Sequence, residues 1–285
     1  MSAPAAHAQP VPETREYSRK GELSPGTEAP TAAAMLQAIE GGSPERLKTT
    51  LEYGERVHCP ACVPLLERRM LESAAPRVRE LSAWWLRRQP FAAPGVLARL
   101  RARLPVEGDA ARRARIVEAL GELMDPAAFA LLAARAREDG DAGVRAATVR
   151  ALARLNDPRA GAEISHALSD PSPEVKRSAL DAVLGVSGFR DLAPLVVLLG
   201  DADARLRAQA ATLCGEYRVT AAEAPLAAML RGDQAASARK AAAWALGRIG
   251  TATARAVLDE RTPLETDALV KSALAVAQRM PARAP

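Results

Sequence analysis

His58, Cys59 and Cys62 stand together in "HCPACVPLL", in a chain with only three cysteines and three histidines. Those residue types at that spacing could hold a metal, exchange thiols or close a turn. Haem attachment requires the histidine after the Cys-x-x-Cys pair, and here it precedes it. Tetrahedral zinc needs four ligands, and this cluster supplies three at most unless two chains share a site. A redox pair would draw on the lowered pKa of a thiolate at a helix N-terminus, but no thioredoxin-like βαβ pattern surrounds it. A local disulfide or thiol pair closing the turn before Val63 is the reading to carry forward, with Cys59 and Cys62 as the disulfide candidates. An oxidising compartment favours the bond.

Other catalytic signatures are missing. The sequence has no glycine-rich phosphate loop after a strand, no HExxH and no G-x-S-x-G. His7 lies in a Pro- and Ala-rich tail, and His166 falls mid-helix in "EISHALSD". The expectation is a non-enzymatic chain with no catalytic residues, no metal and no cofactor.

A second feature is electrostatic. From Arg77 to Arg115 ten arginines face only Glu80, Glu107 and Asp109, a surplus of seven. The whole chain carries +5, so the remainder is slightly acidic. Trp84, Trp85 and Phe91 sit among these arginines, and basic residues interleaved with aromatics suit nucleic-acid binding. No acidic residue is placed there for catalysis.

The elements that position these residues follow from composition and repetition. The 285 residues are 48% hydrophobic but only 3% aromatic, a profile suited to close helix packing and poorly suited to strands. Apolar runs stay short; the stretch from Leu192 to Leu199 is far below a membrane span, so no membrane insertion is expected. Residues 1–30 read as a disordered tail. Its Ala6-His7-Ala8 end resembles a signal-peptide cleavage site. An exported, periplasmic chain is the expectation, with the cytoplasm as the alternative.

Self-comparison then organises the rest. A basic residue recurs at Arg79, Arg113, Arg145, Lys176, Arg207, Arg239 and Lys271, spaced by 34, 32, 31, 31, 32 and 32 residues. Six positions before the last six of these stand Glu107, Asp139, Asp170, Asp201, Asp233 and Glu265. Each unit splits into two helices, with "PSPEVKRSALDAVLG" as an example of the second. The expectation is all-α: a right-handed α-solenoid of stacked antiparallel helix pairs, about seven regular repeats over residues 63–280. An irregular pair and the Cys-x-x-Cys turn (residues 31–62) precede them, and residues 281–285 form a short tail.

The units "LSDPSPEVKRSALDAVLGV" and "RAREDGDAGVRAATVRALARLNDPRAG" resemble HEAT repeats, especially the short kind found in phycobilin lyases. The resemblance runs from Val63 to Met280 and implies the solenoid fold. It leaves function open, because that fold hosts scaffolds, adaptors, lyases and DNA glycosylases.

Counted from the basic residue, the positions four and seven later form one apolar stripe at helical spacing, from Ala83 and Leu86 to Ala243 and Leu246, with Cys214 in a leucine's place. The acid six back lies in the loop, where it can cap the helix and pair with the basic side chain. Arg79, Arg113, Arg145, Lys176, Arg207, Arg239 and Lys271, with Asp139, Asp170, Asp201 and Asp233, thus read as a structural ladder. The positions five and nine later carry no apolar consistency and should be solvated on the concave side. Trp84, Arg88, Glu118, Arg150, Arg154, Asp181, Trp244 and Arg248 lie in them, with both tryptophans exposed as interface anchors or else buried by curvature or capping of the array. Trp85 belongs to a small-residue column and should fill the junction with the irregular pair.

The expected function is a monomeric protein-interaction scaffold that binds another protein on this face. The Arg77–Arg115 region supports nucleic-acid binding as the alternative, and a chromophore-lyase-like accessory role follows as a weaker one.

Overall fold

The computed structural model describes residues 29–187 and 189–282. The tail with Ala6-His7-Ala8 lies outside the described residues. Sixteen α-helices and three short 3-10 turns make up the regular structure, and the described residues contain no strand. The irregular pair is α1 (Ala32–Gly41) and α2 (Pro44–Tyr53). Seven pairs follow: α3 (Cys62–Glu72) and α4 (Pro76–Arg87); α5 (Ala93–Arg103) and α6 (Ala110–Glu122); α7 (Phe129–Glu138) and α8 (Ala142–Leu155); α9 (Ala160–Ala167) and α10 (Pro173–Val183); α11 (Ala193–Val197) and α12 (Ala204–Glu216); α13 (Glu223–Gly232) and α14 (Ala236–Ile249); α15 (Ala252–Arg261) and α16 (Ala268–Arg279). The architecture is an α-solenoid of helix pairs. Among the described residues no helix is long and apolar enough to cross a membrane.

Among the described residues two compact units are distinguishable: 29–106 with 122–124, and 107–121 with those from 125 to 282. In the first, Thr31 and Ser43 cap α1 and α2 by accepting the N–H groups of Ala34 and Arg46, and Pro44 occupies a first-turn position where its missing N–H costs nothing. Met35, Ile39, Leu47 and Leu51 are fully buried. Trp85 is buried as its column predicts, and its indole N–H donates to the carbonyl of Gly54 at 3.2 Å. That bond ties α4 to the end of the irregular pair.

In the second unit the apolar stripe is the core. Val117 and Leu120, Val149 and Leu152, and their counterparts through Ala243 and Leu246 are at most 1% exposed. Each such Leu or Val contributes roughly 1.5–3 kcal/mol on burial. Eight positions after the basic residue, glycine lets neighbouring second helices touch. A Cβ on Gly121 would fall 2.8 Å from Cα of Ala151, one on Gly215 2.8 Å from Cα of Ala245, and one on Gly247 2.7 Å from Cβ of Ala277.

The ladder differs from the pairing read along the sequence. Arg113, Arg145, Lys176, Arg207 and Arg239 each pair with the carboxylate of the next repeat, and the four arginines reach only the backbone carbonyl of the acid in their own. Arg113 grips Asp139 with two bonds of 2.8 Å, and Arg207 grips Asp233 with two of 2.7 Å. Arg145 and Asp170, and Arg239 and Glu265, repeat this fork. The remaining guanidinium N–H donates backward, from Arg145 to the Asp139 carbonyl and from Arg207 to the Asp201 carbonyl, each at 2.8 Å. Each of these carboxylates also accepts an N–H two residues on, such as Asp141 for Asp139 and Asp203 for Asp201. A helix-start cation leans over its own loop toward the neighbouring turn, so a linear alignment pairs it with the wrong acid. Lys176, with one nitrogen, makes the forward bond to Asp201 at 2.6 Å. In the first unit Arg79 donates to the carbonyls of Ser73 and Ala74, and Lys271, in the last repeat, is exposed.

Candidate functional site

Cys59 and Cys62 are joined as a disulfide, and both are buried. The bond sits where α3 begins, with Cys62 N–H donating to the Cys59 carbonyl at 3.0 Å. His58 packs on Phe91 with ring centroids 4.4 Å apart. The preceding turn is held by α4 and the residues after it: Arg88 pairs with Glu55, and Gln89 donates to the Glu55 carbonyl at 2.8 Å. Both sulfurs are bonded to each other, so neither is free to bind a metal, and the bond closes the turn before α3. Among the described residues no group of three or more His, Cys, Asp or Glu could hold a metal ion. The remaining cysteine, Cys214, is buried in the core stripe, and burial pushes its thiol up to about 12.

The residues expected on the open face of the second helices are mostly tied to one another. In the second unit, Glu118 on α6 pairs with Arg115 at 3.1 Å and with Arg150 of α8 at 3.7 Å. Arg150 also donates to the Ser178 hydroxyl of α10 at 3.0 Å. Asp181 of α10 accepts from Gln209 of α12 at 2.5 Å, and Arg248 of α14 reaches Glu216 of α12 at 3.3 Å. Arg154 is exposed on α8. From α6 to α12 this face is a row of polar cross-links.

Trp84 and Trp244 are half-buried, between the two outcomes their column leaves open. Each is covered by the arginine one turn on: Arg88 lies 5.2 Å from the Trp84 ring and Arg248 5.6 Å from the Trp244 ring. Trp244 is also seated over Gly215, where a Cβ would meet its ring at 2.6 Å. The glycine that lets α12 and α14 approach therefore also makes a shelf for the indole.

That seated ring borders a groove of about 530 Å³ running over α12, α14 and α16. Leu269 and Val276, 65% and 50% exposed, stand on its α16 wall, with Thr212 on α12 and Ser272 between the two. Among the described residues Lys240 is the single charged one lining it. Sequence reasoning that followed only the positions five and nine past the basic residue missed Lys240 and Leu269, and its five-later column stopped at Trp244, one repeat short of Val276. The signal was present at positions two before, one after and five after. There the residues change from Glu174, Arg177 and Asp181 on α10 to Ser237, Lys240 and Trp244 on α14, then to Leu269, Ser272 and Val276 on α16. A charged solvent face becomes an apolar one in the last repeats.

The basic region is less available than its composition suggests. Arg77, Arg88, Arg99, Arg113 and Arg115 are engaged with Glu80, Glu55, Glu67, Asp139 and Glu118, respectively.

Comparison with known proteins bears on the fold. The family model for HEAT repeats matches residues 63–153, 131–188 and 192–278. No curated protein matches the chain in sequence. Among solved structures, the E. coli protein YibA is similar over 93% of this chain and 99% of its own, at 16% identity and a TM-score of 0.57. The S. pombe condensin Cnd3–Cnd2 subcomplex is similar over 87% of this chain and 37% of that one, at 17% identity and a TM-score of 0.59. The complex of CpcE and CpcF of phycocyanin lyase from Nostoc sp. aligns over 76% of this chain and 93% of that one, at 19% identity and a TM-score of 0.41. At such identities the likeness is one of fold. With three family matches covering most of its length and a cation–carboxylate ladder recurring from pair to pair, the chain belongs to the HEAT-repeat family.

Proposed function

We propose that this protein is a non-catalytic interaction scaffold that captures a partner protein on the exposed face of its last second helices. The observation that carries this reading is the groove over α12, α14 and α16. It is an apolar depression flanked by a pinned tryptophan, at the end of a face otherwise closed by polar cross-links. A rigid aromatic anchor beside exposed aliphatic side chains is the make-up of an interface hot spot, and its preorganisation lowers the cost of binding. The nucleic-acid alternative draws on arginines of which many are already neutralised, so the groove supports the scaffold reading better.

Proteins captured from the native extract, then purified and titrated against the chain, provide the test. Leu269→Ser with Val276→Ser should abolish binding of such a partner while leaving helicity unchanged. Arg145→Ala, in the ladder, should lower stability without changing which protein binds. Unchanged binding by the Leu269/Val276 variant would remove the groove from the function. Salt-steep binding of duplex or single-stranded nucleic acid by the wild type would favour the alternative instead.

A further inference from the structure

We infer that the groove over α12, α14 and α16 takes an amphipathic helix of the partner, apolar on one side and carrying a carboxylate that meets Lys240. This rests on the scaffold reading and specifies the chemistry of its ligand.

The helical form follows from the walls. All three are α-helices whose backbone N–H and C=O groups are spent within the helices, so the groove offers no sheet edge for an extended peptide to pair with. A strand laid over Leu269, Val276 and Trp244 would leave its own backbone groups unsatisfied against apolar side chains. A helix brings its backbone bonds with it. The dimensions agree: neighbouring helices pack about 8–10 Å apart, so three span roughly 20 Å. At about 1.5 Å per residue that is a helix of three to four turns.

The charge follows from Lys240. It is exposed on the middle helix of the three, no carboxylate among the described residues lines the groove, and the other polar side chains of the lining, Gln209, Thr212, Ser237 and Ser272, are uncharged. An occupant that covers this ammonium without supplying an anion would strand a desolvated charge. An occupant with a glutamate or aspartate at that place turns the penalty into a paired contact. Trp244 fixes the register. Its ring is held between the Gly215 shelf and the Arg248 guanidinium, so the apolar side chains of the ligand must fit the space between it and Leu269. A second copy of this chain is the weaker occupant. On α16 Gln278 stands where the other second helices carry leucine, valine or cysteine, and Arg279 where α12 and α14 carry glycine, so α16 offers a second copy a more polar face than the stripe it packs with.

The test uses the full chain and two soluble, end-blocked helical peptides of about sixteen residues. Both carry leucine at i, i+4 and i+7; one has glutamate and the other lysine on the flank of that stripe. Binding is read by calorimetry and by the tryptophan emission of wild type and Trp244→Phe. The wild type should prefer the glutamate peptide by about tenfold, and Lys240→Glu should reverse the preference. Leu269→Ser should weaken both peptides. Equal affinity of the two peptides, or a preference that survives Lys240→Glu, overturns the inference. Binding of neither peptide overturns it too, while a natural partner still lost on Leu269→Ser with Val276→Ser leaves the scaffold reading standing. Concentration-dependent dimers that dissociate on Leu269→Ser would assign the groove to a second copy and sink the partner helix.

Discussion

Replacing Glu265 by glutamine isolates the charge of one ladder rung. Glu265 is 3% exposed, and its carboxylate accepts two bonds of 3.1 Å from Arg239, a longer one from Arg261 and the N–H groups of Thr266 and Asp267. The Arg239 guanidinium, aided by those backbone donors and opposed by burial, brings its pKa from 4.5 down to about 2. At about 1.4 kcal/mol per unit, the ionised form contributes on the order of 3 kcal/mol at neutral pH. Glutamine keeps the shape but turns one acceptor into a donor facing Arg239. Glu265→Gln should therefore cost about 3 kcal/mol at pH 7 in urea unfolding followed by circular dichroism, with α16 amides exchanging fastest. The neighbouring exposed pair Arg231–Glu260, with side chains 46% and 49% accessible, is the control; Glu260→Gln should leave the unfolding midpoint nearly unchanged, because solvent screens that pair.

The pH dependence makes this sharper. A carboxylate with a depressed folded-state pKa contributes stability above its unfolded value, and that contribution is lost as pH falls through the folded one. The wild type should thus lose the Glu265 contribution between pH 4.5 and about 2, while the glutamine variant has no such contribution to lose. The difference between the two should shrink toward zero over that window. A difference below about 1 kcal/mol at pH 7, or one that stays constant down to pH 2, would refute the assignment of rung stability to this ion pair.

Other outcomes follow from the same geometry. Lys176→Arg should raise stability by about 1 kcal/mol in the same assay, because a guanidinium could keep the forward bond to Asp201 and add the backward bond to a carbonyl that the other rungs make. Gly247→Ala should destabilise by about 1–3 kcal/mol despite the better helix propensity, since its Cβ would press on Ala277; Gly161→Ala on α9, with open space around it, should stabilise by up to about 1 kcal/mol. Reducing Cys59–Cys62, or replacing both by serine, should cost about 2 kcal/mol for so short a loop, with faster amide exchange confined to α1–α4. Cys214 should resist thiol reagents in the native state and react only in denaturant, giving one titratable thiol in the oxidised chain.

The fold was legible because repetition reads each position several times over. A single leucine seven places after an arginine means little, whereas Leu120, Leu152 and Leu246 in register mark one buried stripe. The ladder was legible as residues but not as pairs, because Arg145 reaches Asp170, 25 residues on, and not the carboxylate of Asp139. The burial of Trp84 and Trp244 was left open by their column for a related reason. A column shows which way a side chain starts, but the arginine folded over each ring, and Gly215 beneath Trp244, come from other positions. The groove needed three columns summed across three helices. Taken singly, Leu269 reads as one more apolar residue at a helix start.

Those columns also explain how one protein can be both stack and site. Stacking uses the basic residue, the acid six before it, the stripe at four and seven after, and the glycines at eight after. The groove uses positions two before and one, two and five after. The two sets share no residue, so the groove could lose its charges repeat by repeat without loosening the ladder. They meet at Gly215. A side chain there would strike Ala245 of the neighbouring helix, as at Gly247, but it would also strike the Trp244 ring. Alanine at Gly247 should therefore loosen the stack alone. Alanine at Gly215 should loosen the stack and displace the anchor of the groove, so that its loss of affinity exceeds what its loss of stability accounts for.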